Sequence, residues 1–212
     1  MNLLKKYFPQ INDDKINRVI HFEYLIKDWN KKINLISRKD IENFQIHHIV
    51  HSLSILKLID FEPSTNILDI GTGGGFPGIP LSILFPKSFF HLVDRKEKKI
   101  VALKKIVKDL DLSNVKVERL DAVQIKSKYD FIVNRAVSST ENIINICENK
   151  IKIDNKNKIK NGIICLKGGD LNNELKKIKN YRLINLSEFF SETFFETKKI
   201  LYIPNPYIHK DI

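Results

Sequence analysis

The stretch Asn66–Leu84, NILDIGTGGGFPGIPLSIL, decides how this chain is read. Ile67–Ile70 is a short apolar run of strand length. A cluster of glycines follows at Gly71, Gly73, Gly74, Gly75 and Gly78. Pro77 then stands near the first turn of an apolar helix running to Leu84, a position where its missing N–H costs nothing. Strand, glycine turn and helix in that order make the opening unit of an open α/β sheet, where ligands bind at the carboxyl ends of the strands.

The cluster can be read in two registers. Gly73-x-Gly75-x-x-Gly78 matches the dinucleotide fingerprint, with Asp94 near the distance at which an acid would hold a ribose hydroxyl. Asp69-x-Gly71-x-Gly73-x-Gly75 matches the acidic glycine loop of S-adenosylmethionine (SAM) methyltransferases. Charge favours the second: a carboxylate at Asp69 would repel a pyrophosphate and attract a sulfonium and an ammonium. Asp94 suits an adenosine ribose in either register. A plain tight turn would need neither acid.

Working outward, strand and helix signals alternate. Phe89–Asp94 is a second strand. The lysine-rich run that follows places Ile100, Leu103, Ile106 and Leu110 on one helical face. Val115–Leu120, Tyr129–Val137 and Gly162–Gly169 read as further strands, and Tyr181–Phe190 and Lys198–Pro204 as two late strands that pair antiparallel. The fold class is therefore α/β, Rossmann-like, with a mostly parallel central sheet and one late antiparallel strand. Upstream, Ile16, Val19, Phe22, Ile26, Trp29 and Ile33 recur at helical spacing, and a second helical stretch covers Ile41–Ile59. Residues 1–62 are expected to form a helical extension packed on a main domain of residues 63–212. The tract Ile151–Asn161, IKIDNKNKIKN, reads as a solvated loop or insertion.

At 212 residues, with 42% hydrophobic and 29% charged residues, the chain suits one globular unit. It offers neither a membrane-length apolar run nor a secretory leader, so the expected location is the cytoplasm, with no membrane partner. Cys147 and Cys165 lack metal or redox spacing and read as buried thiols. The formal net charge of +11 gives modest support to an RNA or DNA partner, since abundant Lys, Asn and Ile also follow from base composition. Arginines are more informative, because an ammonium cannot replace the planar fork. They are Arg18, Arg38, Arg95, Arg119, Arg135 and Arg182.

Arg135 ends the fourth strand in FIVNRAVSS, at the carboxyl edge of the sheet, where it would meet an anion, a base edge or a neighbouring acid. Enzymes that methylate exocyclic amines usually carry Asn/Asp-Pro-Pro-aromatic here. Asn134-Arg135-Ala136-Val137 lacks both prolines and the aromatic, which argues against that chemistry. Leu120 and Asp121 follow the third strand and read equally as an adenine-side wall or an ordinary strand end. Phe76 could line the cavity. His47, His48 and His51 lack the glutamate of a zinc-protease helix, so packing or RNA contact is favoured over metal, and no metal site is expected.

Taken together, WNKKINLIS, HHIVHS, ILDIGTGGGFPGIPLSILFP, LVD, YDFIVNRAVSS and LKGG resemble the RsmG family, also called GidB or glucose-inhibited division protein B. The resemblance runs from about Trp29 to Gly169. It implies a bacterial enzyme that transfers the methyl group of SAM to N7 of a guanine in 16S ribosomal RNA, presented as RNA or as a small-subunit particle, leaving S-adenosylhomocysteine. It places the cofactor against Gly71, Gly73, Phe76, Leu120, Asp121 and Arg135, with Asp94 near the ribose. Arg135 is the candidate for substrate positioning, and no general base is assigned. The chain departs from the family at His51, where an acid is frequent, and at Arg95-Lys96, where Ser-Leu is usual. A monomer is expected. Two rival readings are an NAD(P)-dependent oxidoreductase and a non-catalytic RNA-binding module.

Overall fold

The computed structural model describes residues 3–37, 40–135 and 139–205. Seven strands form one sheet in the order β3-β2-β1-β4-β5-β7-β6. They are β1 (Asn66–Ile70), β2 (Phe89–Asp94), β3 (Val115–Arg119), β4 (Phe131–Arg135), β5 (Gly162–Gly168), β6 (Arg182–Asn185) and β7 (Lys198–Pro204). The pairings among β1 to β5 are parallel. β7 runs antiparallel to both β5 and β6, so the late antiparallel strand expected from sequence is present. The carboxyl ends of β1 and β4 lie side by side, with Ile70 opposite Asn134. The strand order reverses there, and this is where an open α/β sheet leaves a crevice.

Helices cover both faces. α1 (Leu3–Tyr7) and α2 (Asp13–Asn30) precede the sheet. Asn12 caps α2 by accepting from the Lys15 N–H at 3.0 Å. Ile16, Val19, Phe22 and Ile26 form its buried stripe. α2 ends at Asn30, before Ile33, because the Asn30 side chain turns the chain. Its Oδ1 accepts from the N–H groups of Leu35 and Ile36 at 2.8 and 3.0 Å. The second helical stretch is composite: a π-turn at Gln45–Val50, α3 (His51–Leu53) and a 3-10 turn at Ser54–Lys57. α4 (Gly78–Leu84), α5 (Glu97–Asp109), α6 (Thr140–Cys147) and α7 (Asn172–Leu175) connect the strands. The apolar residues of α1 and α2 share one continuous core with those of β1, α4, β2 and α5.

Cys147 and Cys165 are buried and unbridged, as expected. The tract 151–161 differs from its expected character. Asn157 and Asn161 are buried, and Asn161 donates to the carbonyls of Lys152 and Asp154. Lys152 pairs with buried Asp130 at 3.1 Å. Side-chain amides pin this segment, and composition does not register them. Among the described residues no helix is long and apolar enough to cross a membrane. Ala136 and Val137 of the expected fourth strand lie outside the described residues.

Candidate active site

β1 delivers the chain into a loop whose backbone needs left-handed conformations. Gly71 and Gly73 have φ of 66° and 59°, which glycine adopts without a Cβ penalty. Gly78 serves close packing instead, since a Cβ there would stand 2.7 Å from Asp69 Oδ2 and 2.8 Å from Leu92. Asp69 is fully buried. Its Oδ2 accepts from Thr72 Oγ1 at 2.7 Å and from the Gly78 N–H at 2.9 Å, while Oδ1 has no partner. Burial pushes this carboxyl up to about 7, against the two hydrogen bonds that favour its charged form.

The expectation that Asp69 would attract a cationic ligand directly is therefore corrected: it lies beneath the loop and ties β1 to α4. The same contact gives a better reason to set aside the dinucleotide register. A pyrophosphate needs free N–H groups at a helix N-terminus. Pro77 has none, Gly78 N–H is bound to Asp69, and Ile79 N–H is bound to the Gly75 carbonyl.

Above the loop lies a cavity of about 510 Å³. Its lining brings together the sequence candidates Gly71, Gly73, Phe76, Asp94, Leu120, Asp121 and Arg135. Asp94 ends β2; its Oδ2 accepts from the Gly73 N–H at 3.0 Å and its Oδ1 from the Lys96 N–H at 2.8 Å. Each oxygen keeps capacity for another donor. Asp121 caps the turn Ala122–Gln124 through the Val123 N–H at 3.1 Å and stands 3.5 Å from Arg95. Leu120 and Asp121 are thus cavity wall and strand-end cap at once.

Among the described residues no carboxylate lies within salt-bridge distance of Arg135. Arg135 donates through Nη1 to the His47 carbonyl at 2.9 Å and through Nη2 to His48 Nδ1 at 2.8 Å, and its guanidinium lies 4.8 Å from the centre of the Phe76 ring. Burial lowers its pKa to about 10, so it stays charged at neutral pH. Accepting from Arg135 requires an unprotonated His48 Nδ1, which leaves the proton on Nε2. That atom is buried without a partner. Burial, reinforced by Arg135, holds the His48 pKa down to about 3. His51 is likewise buried and shifted well down, and its ring meets Phe194 and Phe195 edge-on. His47 pairs with Asp40 at 2.8 Å and stacks on Phe194.

Several lining residues escape the sequence reading. Ile36, Ser37 and His48 come from the N-terminal segment, Lys99 from α5, and Asn142 and Ile146 from α6. The HHIVHS and WNKKINLIS motifs carried a signal without a location, and α6 carried none.

The glycine loop, the acid that ends β2 and the arginine that ends β4 converge on one cavity. The family model described as rRNA small subunit methyltransferase G (GidB) matches residues 15–199. The chain belongs to that family. A relative of that name from Flavobacterium johnsoniae is 48% identical over 96% of this chain and 98% of its own length. One from Bacteroides thetaiotaomicron is 46% identical over 95% and 98%. Among solved structures, a SAM-dependent methyltransferase from Aquifex aeolicus superposes with a TM-score of 0.57 at 16% identity, covering 79% of this chain and 98% of that one. A fibrillarin/Nop5p complex gives 0.51 at 14%, covering 72% and 78%. These two likenesses establish the Rossmann-like methyltransferase fold; the close relatives establish the family.

Proposed function

We propose that this chain transfers the methyl group of SAM to N7 of a guanine in 16S ribosomal RNA, acting as a cytoplasmic monomer on the RNA or on a small-subunit particle. The observation that carries the reading is the cavity itself: a family loop and a ribose-side acid under a helix N-terminus already closed by Asp69. The residues present fit the cofactor. Asp94 takes the ribose diol, Leu120 and Asp121 border the adenine, and the Gly71–Gly73 backbone runs beneath the methionine arm. Residues 1–62 act as a helical extension that roofs one side of the site through Ile36, Ser37 and His48.

When bound, SAM supplies an electrophilic methyl. Guanine N7 offers an in-plane lone pair and carries no proton, so no general base is needed. The work left to the protein is alignment, and well-oriented reactants can lower a barrier by roughly 7–11 kcal/mol. Arg135, fixed by His47, His48 and Phe76, holds the substrate side with its remaining N–H groups. N7 lies on the major-groove edge, which A-form RNA buries in a deep narrow groove, so the target guanine must sit in a distorted or unpaired region.

The deciding experiment is methyl transfer from labelled SAM to small-subunit RNA and particles, with the modified nucleoside identified. The expected product is 7-methylguanosine. A different methylated nucleoside would refute the N7 assignment. RNA binding without transfer would leave the non-catalytic module, and stabilisation by NAD but not SAM would favour the oxidoreductase.

A further inference from the structure

Four cationic side chains line the cavity: Arg95, Lys96, Lys99 and Arg135. Three of them are accounted for by contacts or exposure. Arg95 is largely exposed and stands beside Asp121. Lys96 is exposed. Arg135 is fixed by the His47 carbonyl, His48 and Phe76. Lys99 is different. It projects from the first turn of α5 into the junction between the glycine loop and the Leu35–Ser37 segment, and it lines the cavity on both sides of that junction. Its Nζ lies 3.6 Å from the point a Cβ on Gly73 would occupy. Its hydrogen-bond contact is a long one, 3.5 Å to the Leu35 carbonyl. Among the described residues no carboxylate comes within salt-bridge distance of it.

A half-buried ammonium without a salt-bridge partner is costly: burial lowers its affinity for a proton, and the Asp94 carboxylate across the cavity, beyond salt-bridge distance, offsets this only in part. It is also the wrong charge to face a sulfonium unless an anion stands between them. The cofactor of the proposed reaction carries one anionic group, the α-carboxylate of its methionine arm. The geometry points to Lys99 as the residue that receives that carboxylate, in the gap between Gly73 and Leu35. This inference rests on the reading of the site as a SAM site and adds the residue that selects the amino-acid end of the ligand. Lys99 makes a charge-assisted bond there, the class of contact that distinguishes a carboxylate-bearing ligand from a truncated one.

Truncating the ligand provides the test. S-adenosylhomocysteine carries the carboxylate, and 5′-methylthioadenosine has the same nucleoside and sulfur without the amino acid. Calorimetry on the full-length protein and on Lys99→Met and Lys99→Arg compares the two. Lys99→Met is expected to weaken S-adenosylhomocysteine roughly 10- to 100-fold, the range of a lost bond to a charged group. Its affinity for 5′-methylthioadenosine should stay within about twofold, and Lys99→Arg should recover much of the loss. Equal weakening of both ligands would overturn the assignment and make Lys99 a brace for the Leu35 segment. Unchanged S-adenosylhomocysteine binding with a raised KM for RNA would also overturn it and make Lys99 a phosphate contact. Failure of wild-type protein to bind either ligand would instead sink the SAM reading of the site, a distinguishable result.

Discussion

Beneath the cavity, Asp69 and Arg135 direct their hydrogen bonds to the protein itself; around its rim, Asp94, Asp121 and Lys99 keep capacity for something else. Asp69 closes the start of α4, and Arg135 is held by a backbone carbonyl and a neutral imidazole. Asp94 and Asp121 each brace a turn through backbone N–H groups, but both remain partly open to the cavity. Residues of the same charge type thus differ in how much of their hydrogen-bonding capacity the fold itself takes up. What divides them is depth below the loop, not residue identity or spacing.

The largest expected effect comes from the floor. Asp69 has a raised pKa in the fold, so folding favours its protonated form. Its stabilising contribution is full below the unfolded value near 3.8 and is lost as pH rises toward about 7. Across that window wild type should lose up to about 4 kcal/mol relative to Asp69→Asn, which keeps the acceptor without the charge. His48 and His51, held neutral, act oppositely: their pKa values are depressed, so stability falls when pH drops below the unfolded value near 6.5. Both proteins share them, so the difference isolates Asp69. Urea unfolding from pH 4 to 8 checks this, and a constant difference would mean that Asp69 stays ionised throughout.

Arg135→Ala tests whether the floor is separable from function. It leaves the His47 carbonyl and His48 Nδ1 without their donor, which should cost about 2–3 kcal/mol, and methyl transfer should fall by more than about 100-fold. The sequence alone suggests loss of activity with the fold intact; the contacts add a stability cost. With Arg135 gone, His48 should also titrate closer to its ordinary value, readable by NMR. Full stability with no activity would place Arg135 with the rim residues.

Asp94→Asn is the corresponding change at the rim. The side chain can still accept from one of the two N–H groups, so the melting temperature should shift by only a few degrees. On the ribose contact proposed for Asp94, SAM affinity should fall about 10- to 100-fold. Calorimetry measures the affinity and a thermal melt the fold. A collapse in stability with unchanged affinity would place Asp94 with Asp69.

Much of this arrangement is legible in the sequence. The strands and their alternation with helices follow from apolar periodicity and glycine placement, which are local properties, while the full set of candidate cavity residues follows from the resemblance to the family. Depth is not local. Nothing in LDIGTGGG says where Asp69 directs its carboxylate, because β1 is buried on both faces and the Gly78 N–H that Asp69 meets lies at the far end of the loop. Nor could the sequence place Lys99 beside Gly73, or Ile36 over Gly74, since those contacts join segments 26 and 38 positions apart. α6 leaves little trace in the sequence because its helical run is short.

The smallest expected effect addresses the region furthest from the chemistry. The tract 151–161 reads as solvated filler, yet Asn157 Oδ1 accepts from the Glu62 N–H at 3.0 Å and from Thr65 Oγ1 at 3.2 Å. This joins the tract to the segment that leads into β1. Thr65 keeps a second acceptor in the Glu62 carbonyl at 2.6 Å, so only the Glu62 N–H is left without a partner when Asn157 is truncated. Asn157→Ala should therefore cost about 1 kcal/mol, seen as a lower urea midpoint at unchanged slope. Activity should stay within about twofold, because neither the cavity floor nor its rim is touched. A variant as stable as wild type would mean that the tract can be trimmed without effect. A variant that lost activity would tie the entry to β1 to the geometry of the glycine loop at its other end, and would make the floor longer than the cavity above it.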